Sequence, residues 1–441
     1  MSGGARETAL QVLIAVRSKS AWADAALKAR LSRDGLAGPD AALATRLVYG
    51  VLQNQLLLDF WISAYCSQKP EHLQLPLQDI LRLGVYQIVF LDRIPDSAAV
   101  NESVNLAKAA GRGSAAGLVN AVLRRVARSK DALPKVPETD RISWLSVTYS
   151  HPKWLVQRLT DLIGSREAEA FLQADNTPVP ISVQVNSLKT DAEQLCQNLS
   201  GEGVRVQEHP WVPGCLELTE TGDLASLRAF QRGEFFVQDA AAALVTTAAQ
   251  PRPGMRVIDV CAAPGGKSFS AAIAMGDRGE LLACDIYPMK LRRIREGAAR
   301  LGLNCIRTAE ADGKVFRQDW AGTADLVLVD APCSGIGIIR KKPDIRYKDP
   351  GEFSALPALQ AAIIANAALY VRPGGALVYS TCTVLPEENE EIVRAFLQAH
   401  PDFSAEPFSL PAPAGRTDGR ITLWPQSSGT DGFFICRMRR A

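Results

Sequence analysis

The spacing of apolar residues changes along the chain. Over the first part, to about residue 130, it is helical: Ala9, Leu10, Leu13 and Ile14 fall on one face, as do Leu43, Leu47, Val48, Val51 and Leu52. Leu81, Leu83, Val85, Ile88 and Val89 form another apolar face, and Asn101 to Ala109 and Ala115 to Val126 repeat the pattern. Pro70, Pro76 and Pro95 punctuate these segments, and strand-like alternation is almost missing. The pattern predicts an all-α bundle of about five to seven helices.

Pro134 and Pro137 mark a linker, after which the pattern is mixed. Trp154 to Leu162 reads as helix, and Ile181 to Val185, Val204 to Glu208 and Cys215 to Leu218 read as short strands. From Met255 onward strand and helix alternate. Strands are expected at Val257–Cys261, Leu281–Cys284, Asn304–Thr308, Leu326–Val329 and Ala376–Tyr379. Helices are expected at Ser268–Ala274, Met289–Leu301, Leu356–Tyr370 and Glu388–Leu397. This alternation predicts a mainly parallel, doubly wound sheet, whose ligands bind at the carboxyl ends of the strands. The expected organisation is a helical domain over 1–133, a small α/β region over 140–237 and an α/β domain over 238–441.

Composition narrows the classes. With 47% hydrophobic and 22% charged residues in 441, wholesale disorder is excluded. Lys plus Arg is 49 against 47 for Asp plus Glu, so any nucleic-acid surface must come from local clustering. The nine cysteines form no CxxC pair and there are four histidines, which argues against a zinc finger or ribbon, and the odd, scattered count argues against a secreted disulfide framework. A reduced, cytoplasmic protein is expected. Arg6 and Glu7 interrupt any signal peptide, and no stretch approaches the ~18 uncharged apolar residues of a membrane span.

The chemistry clusters after the strands. "VIDVCAAPGGKS", Val257 to Ser268, joins the first strand to a helix through Gly265 and Gly266, which let the backbone approach a ligand. A phosphate-binding P-loop needs glycine where Cys261 stands, and a GxGxxG fingerprint is absent. A nucleoside-binding loop fits better: Asp285 ends the second strand, where a carboxylate suits ribose hydroxyls. Asp312 follows the third strand, although before Gly313 it also reads as a turn residue. "LVLVDAPCSGIG" delivers Asp330, Cys333 and Ser334 after a strand, and "LVYSTCTVLPEENE" delivers Cys382 the same way. A single cysteine is usually structural. Two at strand-end turns, flanked by Pro and Ser, point to function.

These motifs resemble those of the RNA 5-methylcytosine methyltransferases, in particular the bacterial RsmB (Fmu/Sun) type. "CAAPGGK", "DAPCSG", "STC" and "PEEN" match in order and spacing, and "VQDAA" and "DGFF" extend the match from Gln238 to the C-terminus. The helical N-terminus resembles, less specifically, the RNA-binding fold of the antitermination factor NusB. Thr383 and Ala241 depart from the residues common at those places. The resemblance implies a NusB-like N-terminal domain, a small α/β middle region and a Rossmann-like class I methyltransferase domain. It implies methyl transfer from S-adenosyl-L-methionine to carbon 5 of a cytosine in 16S ribosomal RNA. It assigns Cys382 as nucleophile, Cys333 to product release and Asp330 to a base contact. The cofactor would be held by Cys261, Ala262, Ala263, Pro264, Gly265, Gly266, Lys267, Asp285, Asp312 and Asp330. Residues alone do not tell the two cysteines apart.

A thiolate is the reactive form, and Lys267 is the candidate for stabilising it. The target base must be single-stranded or flipped out. Arg124, Arg125 and Arg128 end a helix, which suits either its dipole or an RNA phosphate. Arg340, Lys341, Lys342 and Arg346 follow the Cys333 motif and read as a phosphate track or a solvated loop. Lys290, Arg292, Arg293 and Arg295 read as a solvated helix face. Nothing requires more than a monomer. Transfer RNA as substrate, and a non-enzymatic RNA-binding protein on the same fold, are the alternatives.

Overall fold

The structure is a computed structural model that describes residues 4–19 and 21–441. It divides into two compact units, residues 1–177 with 339–348, and residues 178–338 with 349–441.

The first unit is helical. Its elements are α1 (Ala5–Lys19), α2 (Ala23–Asp34), α3 (Gly38–Tyr65), α4 (Leu75–Phe90), α5 (Asp96–Ala109), α6 (Ala116–Arg128), α7 (Arg141–Thr148) and α8 (Lys153–Ala174). The periodic residues seen in the sequence are its core: Leu10, Leu13, Leu47, Val51, Leu81, Val85 and Leu123 bury together. Helix α8 runs further than Trp154–Leu162 because Gly164, at φ 79°, joins two helical stretches across a kink. The region expected at 140–237 is shared between units: α7 packs on α3 and α8, while the strands that follow belong to the second unit.

The second unit holds two sheets. A four-stranded antiparallel sheet, ordered β2-β3-β1-β4, contains β1 (Ile181–Val185), β2 (Arg205–Glu208), β3 (Cys215–Thr219) and β4 (Phe235–Val237). The helices α9 (Ala192–Gly201) and α10 (Arg228–Gln231) lie within this stretch, and α11 (Ala240–Ala249) follows it.

The large sheet is ordered β10-β12-β9-β8-β5-β6-β7. Its parallel part is β5 (Arg256–Asp259), β6 (Glu280–Asp285), β7 (Ile306–Glu310), β8 (Ala324–Asp330) and β9 (Val371–Thr381). Helices α12 (Gly266–Ala274), α13 (Pro288–Leu301), α14 (Leu356–Ala368) and α15 (Glu390–Ala399) alternate with these strands. Alternate residues face opposite sides, as a strand requires. Val257, Leu326, Leu328 and Val378 bury in one core, and Ile258, Val327, Val329 and Tyr379 in the other. Both faces are therefore covered, which is why these strands read as continuous apolar runs. At the carboxyl end of the chain β10 (Phe403–Ala405), β11 (Arg420–Leu423), α16 (Pro425–Ser428) and β12 (Phe433–Arg440) add an antiparallel edge, with β12 on β9. Strand β12 was not expected, because Arg437, Arg439 and Arg440 break its apolar pattern. Arg437 is buried, its guanidinium held by the carbonyls of Ala248 and Ala249 and by Glu406.

Among the described residues no helix is long and apolar enough to cross a membrane, and no group of three or more His, Cys, Asp or Glu side chains could hold a metal ion.

Candidate active site

The loop from β5 to α12 is shaped by its glycines. Gly265 has φ 113°, and a Cβ there would lie 2.6 Å from the Phe269 ring, so a side chain is excluded on both counts. A Cβ on Gly266 would press on Gln238 at 3.2 Å. Gln238, of the "VQDAA" motif, accepts a hydrogen bond from Ser270 Oγ at 2.6 Å, and Asp239 caps α11 by accepting from the Ala241 amide at 2.8 Å. Under the loop, Asp259 is fully buried and accepts from Ser268 Oγ at 2.7 Å. Burial above all, with the nearby Asp330 charge, pushes its carboxyl up to about 7.

Strand order sets the carboxyl ends of β9, β8, β5, β6 and β7 side by side. Asp285 ends β6, accepts from the Tyr287 amide at 2.9 Å and lies 3.6 Å from Lys290 Nζ. The exposed side chains of Ile286 and Tyr287 follow it and offer apolar surface. Asp312 follows β7 and accepts from the Lys314 amide at 2.9 Å. Asp330 ends β8, pairs with Lys267 Nζ at 2.7 Å and accepts from Ser380 Oγ at 2.9 Å. The Lys267 ammonium also sits 5.1 Å from the Phe433 ring centroid. Asp330 therefore counters the charge that was expected to act on a thiolate.

The two cysteines meet. Cys333 Sγ lies 3.3 Å from Cys382 Sγ, although they are 49 residues apart in the chain. The hydrogen bond to Cys382 drives the Cys333 thiol well above its ordinary range, with burial and the charges of Glu388 and Asp330 adding to it. A protonated Cys333 can thus donate toward Cys382. The loops carrying them approach closely: the Gly337 amide donates to the Cys382 carbonyl at 3.0 Å, and the Gly432 amide to the Gly337 carbonyl at 2.8 Å. A Cβ on Gly337 would fall 2.0 Å from the Gly432 carbonyl oxygen. That contact explains a glycine in both "CSGIG" and "DGFF".

Residues 246–439 match the family model described as 16S rRNA methyltransferase RsmB/F. Residues 4–128 match the NusB family, and 151–225 the RsmF/B-like ferredoxin-like domain. A Bacillus subtilis protein named "Probable ribosomal RNA small subunit methyltransferase B" is 37% identical over 99% of this chain and 98% of its own. The chain belongs to the 16S rRNA methyltransferase RsmB/F family. A Klebsiella pneumoniae relative named ribosomal RNA small subunit methyltransferase B is 32% identical over 90% of both chains. The crystal structure of PH0851 superposes over 100% of both chains with TM-score 0.82 at 26% identity. As a member of the RsmB/F family the chain is an S-adenosylmethionine-dependent RNA methyltransferase.

The basic candidates differ in burial. Arg124, Arg125 and Arg128 are exposed on the last turns of α6, and Arg125 and Arg128 also reach the carbonyls of Tyr65 and Arg124. Arg340, Lys341 and Lys342 are half-buried, and Lys342 lies 3.6 Å from Asp24 and 5.9 Å from the ring of Trp22. Arg346 corrects the sequence expectation. It is fully buried, donating to the carbonyls of Gln53 and Ser150 at 3.0 and 3.1 Å and to Asn176 Oδ1 at 3.1 Å. It is therefore not a phosphate contact. The segment 339–348 is part of the helical unit, where Pro343–Tyr347 forms a 3-10 turn.

Sequence reasoning missed Glu388, Asn389, Gln360, Ser380 and Asp259 as site-forming residues. "PEEN" matched only as a motif, with no role given to its residues.

Proposed function

We propose that this enzyme transfers the methyl group of S-adenosyl-L-methionine to carbon 5 of a cytosine in 16S ribosomal RNA through a covalent cysteine adduct. The observation that carries the reading is the pair of thiols 3.3 Å apart at the ends of adjacent strands, next to the Asp330–Lys267 pair.

The residues fit the cofactor. No side chain caps the first turn of α12 after the Gly265–Gly266 turn, and Asp285, Asp312 and Asp330 line adjacent strand ends. Cys261, Ala262, Ala263, Pro264 and Lys267 complete the loop. Carboxyl groups suit ribose hydroxyls, an amino group and a sulfonium charge. When bound, S-adenosyl-L-methionine supplies an electrophilic methyl group.

Cys382 is the nucleophile. Its sulfur bonds to carbon 6 of cytosine, which makes carbon 5 nucleophilic enough to take the methyl group. Asp330 receives a hydrogen bond from the cytosine edge and steadies the ring as charge develops. Loss of the carbon 5 proton and breakage of the sulfur–carbon 6 bond release the product, and Cys333 assists that step. The NusB-like region over 1–133 holds RNA, with Arg124, Arg125, Arg128, Arg340, Lys341 and Lys342 as the candidates for phosphate contact. The enzyme acts as a cytoplasmic monomer.

The test is transfer of labelled methyl groups to protein-free 16S ribosomal RNA, transfer RNA and assembled small subunits, followed by nucleoside analysis. Labelled 5-methylcytosine in ribosomal RNA is the expected result, and label in transfer RNA alone would overturn the substrate. Cys382→Ala is expected to lose at least about a thousandfold in turnover and to form no adduct. Cys333→Ala is expected to accumulate a protein–RNA adduct that resists denaturing gels.

A further inference from the structure

Each cysteine is held by its neighbours in the chain, and both sets of neighbours are held by one dipeptide. Glu388 is buried, and its carboxyl oxygens accept from the Ser334 amide at 2.9 Å, from Ser334 Oγ and from Gln360 Nε2 at 2.8 Å. Gln360 Nε2 also donates to the Pro332 carbonyl at 3.0 Å. The residues before and after Cys333 are thus both tied to Glu388. Asn389, also buried, does the same for Cys382. Its Oδ1 accepts from Thr381 Oγ1 at 2.5 Å and its Nδ2 donates to the Thr383 carbonyl at 3.0 Å. Ser334 Oγ and Thr383 Oγ1, 2.9 Å apart, join the two halves. The two cysteines are half-exposed, whereas Ser334, Gln360, Thr381, Thr383, Glu388 and Asn389 are buried.

We propose that Glu388 and Asn389 are positioning residues with separate tasks: Glu388 aligns Cys333 for product release, and Asn389 aligns Cys382 for attack. The inference rests on the covalent reading given above. Its physical basis is that misplacing a reacting group by about 1 Å costs on the order of a hundredfold in rate. A buried hydrogen-bonded network holds such a geometry only while each member is present. In Glu388→Gln one end of the side chain becomes an NH2 group, which faces a donor instead of accepting from it. In Asn389→Ala both ties to the Cys382 turn are lost.

The experiment uses the full chain and two forms of protein-free 16S ribosomal RNA. Unsubstituted RNA reads turnover and trapped adduct. RNA carrying 5-fluorocytidine, which has no carbon 5 proton to lose, reads adduct formation alone. Glu388→Gln should behave like Cys333→Ala, with turnover down at least about tenfold and adduct trapped on unsubstituted RNA, while formation on the fluorinated RNA stays within about threefold of wild type. Asn389→Ala should slow formation on the fluorinated RNA at least about tenfold and trap nothing on unsubstituted RNA. Ser334→Ala keeps the backbone bond to Glu388 and serves if Glu388→Gln does not fold; it should trap adduct more weakly. Wild-type turnover in Glu388→Gln, or an equal loss of formation and release in both variants, would overturn the division of tasks. If Cys333→Ala itself traps no adduct, the covalent reading fails first, whatever the Glu388 and Asn389 variants do.

Discussion

Arg346 and Glu388 are both charged side chains sealed from water, one in each unit, and both are met by neutral groups. The Arg346 guanidinium is surrounded by carbonyl oxygens of Gln53 and Ser150 and by the Asn176 amide. The Glu388 carboxyl group collects an amide N–H, a hydroxyl and a glutamine NH2. The outcomes differ. Arg346 keeps two guanidinium nitrogens, Nε and Nη2, without a partner, and burial lowers its pKa from the usual value. Both Glu388 oxygens have partners. The arginine thus ties a segment into a helical core at a residual electrostatic cost, while the glutamate aligns a reactive loop with its acceptors matched. A buried charge is weak evidence for stability and better evidence for a position that must be held.

The contrast predicts a graded set of effects. The largest is expected at Arg346. Arg346→Met fills the space but leaves the Gln53 carbonyl and Asn176 Oδ1 without this donor, while the Ser150 carbonyl keeps the Tyr347 hydroxyl at 3.1 Å, and should cost the helical unit on the order of 4 kcal/mol, read from urea unfolding. A loss below about 1 kcal/mol would show that water takes over the carbonyls, and that the arginine is no anchor.

Next comes Asp259, a buried carboxyl that resists ionisation. Its folded pKa is raised from 3.8 to about 7, so the folded protein keeps this proton to higher pH than the unfolded chain. Its contribution to stability is full below 3.8, falls as pH rises through that window, and is flat above about 7. The slope is up to about 1.4 kcal/mol per pH unit, an order-of-magnitude ceiling. Asp259→Asn should flatten it, as followed by thermal melting of the second unit between pH 4 and 8; an unchanged slope would assign the pH dependence to other groups.

The smallest stability effect is expected where the arginines are exposed. Arg124→Ala combined with Arg128→Ala should change stability by less than about 0.5 kcal/mol. The salt dependence of 16S ribosomal RNA binding should fall by about 0.7–0.9 per phosphate contact removed. An unaltered slope would leave these side chains to the helix terminus alone.

The strand ends and the residues they deliver were legible because both faces of the large sheet are covered. Apolar runs such as Leu326–Val329 then stand out, and Asp330, Cys333 and Cys382 follow them directly. Burial of charge was not legible. Arg346 sits in a run of basic residues, and nothing local announces that Gln53 and Ser150, hundreds of positions upstream, will surround it. Glu388 was hidden for the same reason, since its partners Ser334 and Gln360 lie 54 and 28 residues away. Strand β12 escaped because its arginines look like surface residues until Glu406 and two carbonyls cover Arg437.

The discontinuity of the helical unit bears on how the protein is made. Synthesis runs from the N-terminus, so α1 to α8 emerge well before the segment 339–348 that belongs with them. Until β5 to β8 have also been translated, the Gln53 and Ser150 carbonyls and the Asn176 amide wait for a guanidinium that does not yet exist. A fragment that stops at Thr177 therefore carries α1 to α8 but never gains Arg346, whose guanidinium bridges the Gln53 and Ser150 carbonyls and Asn176.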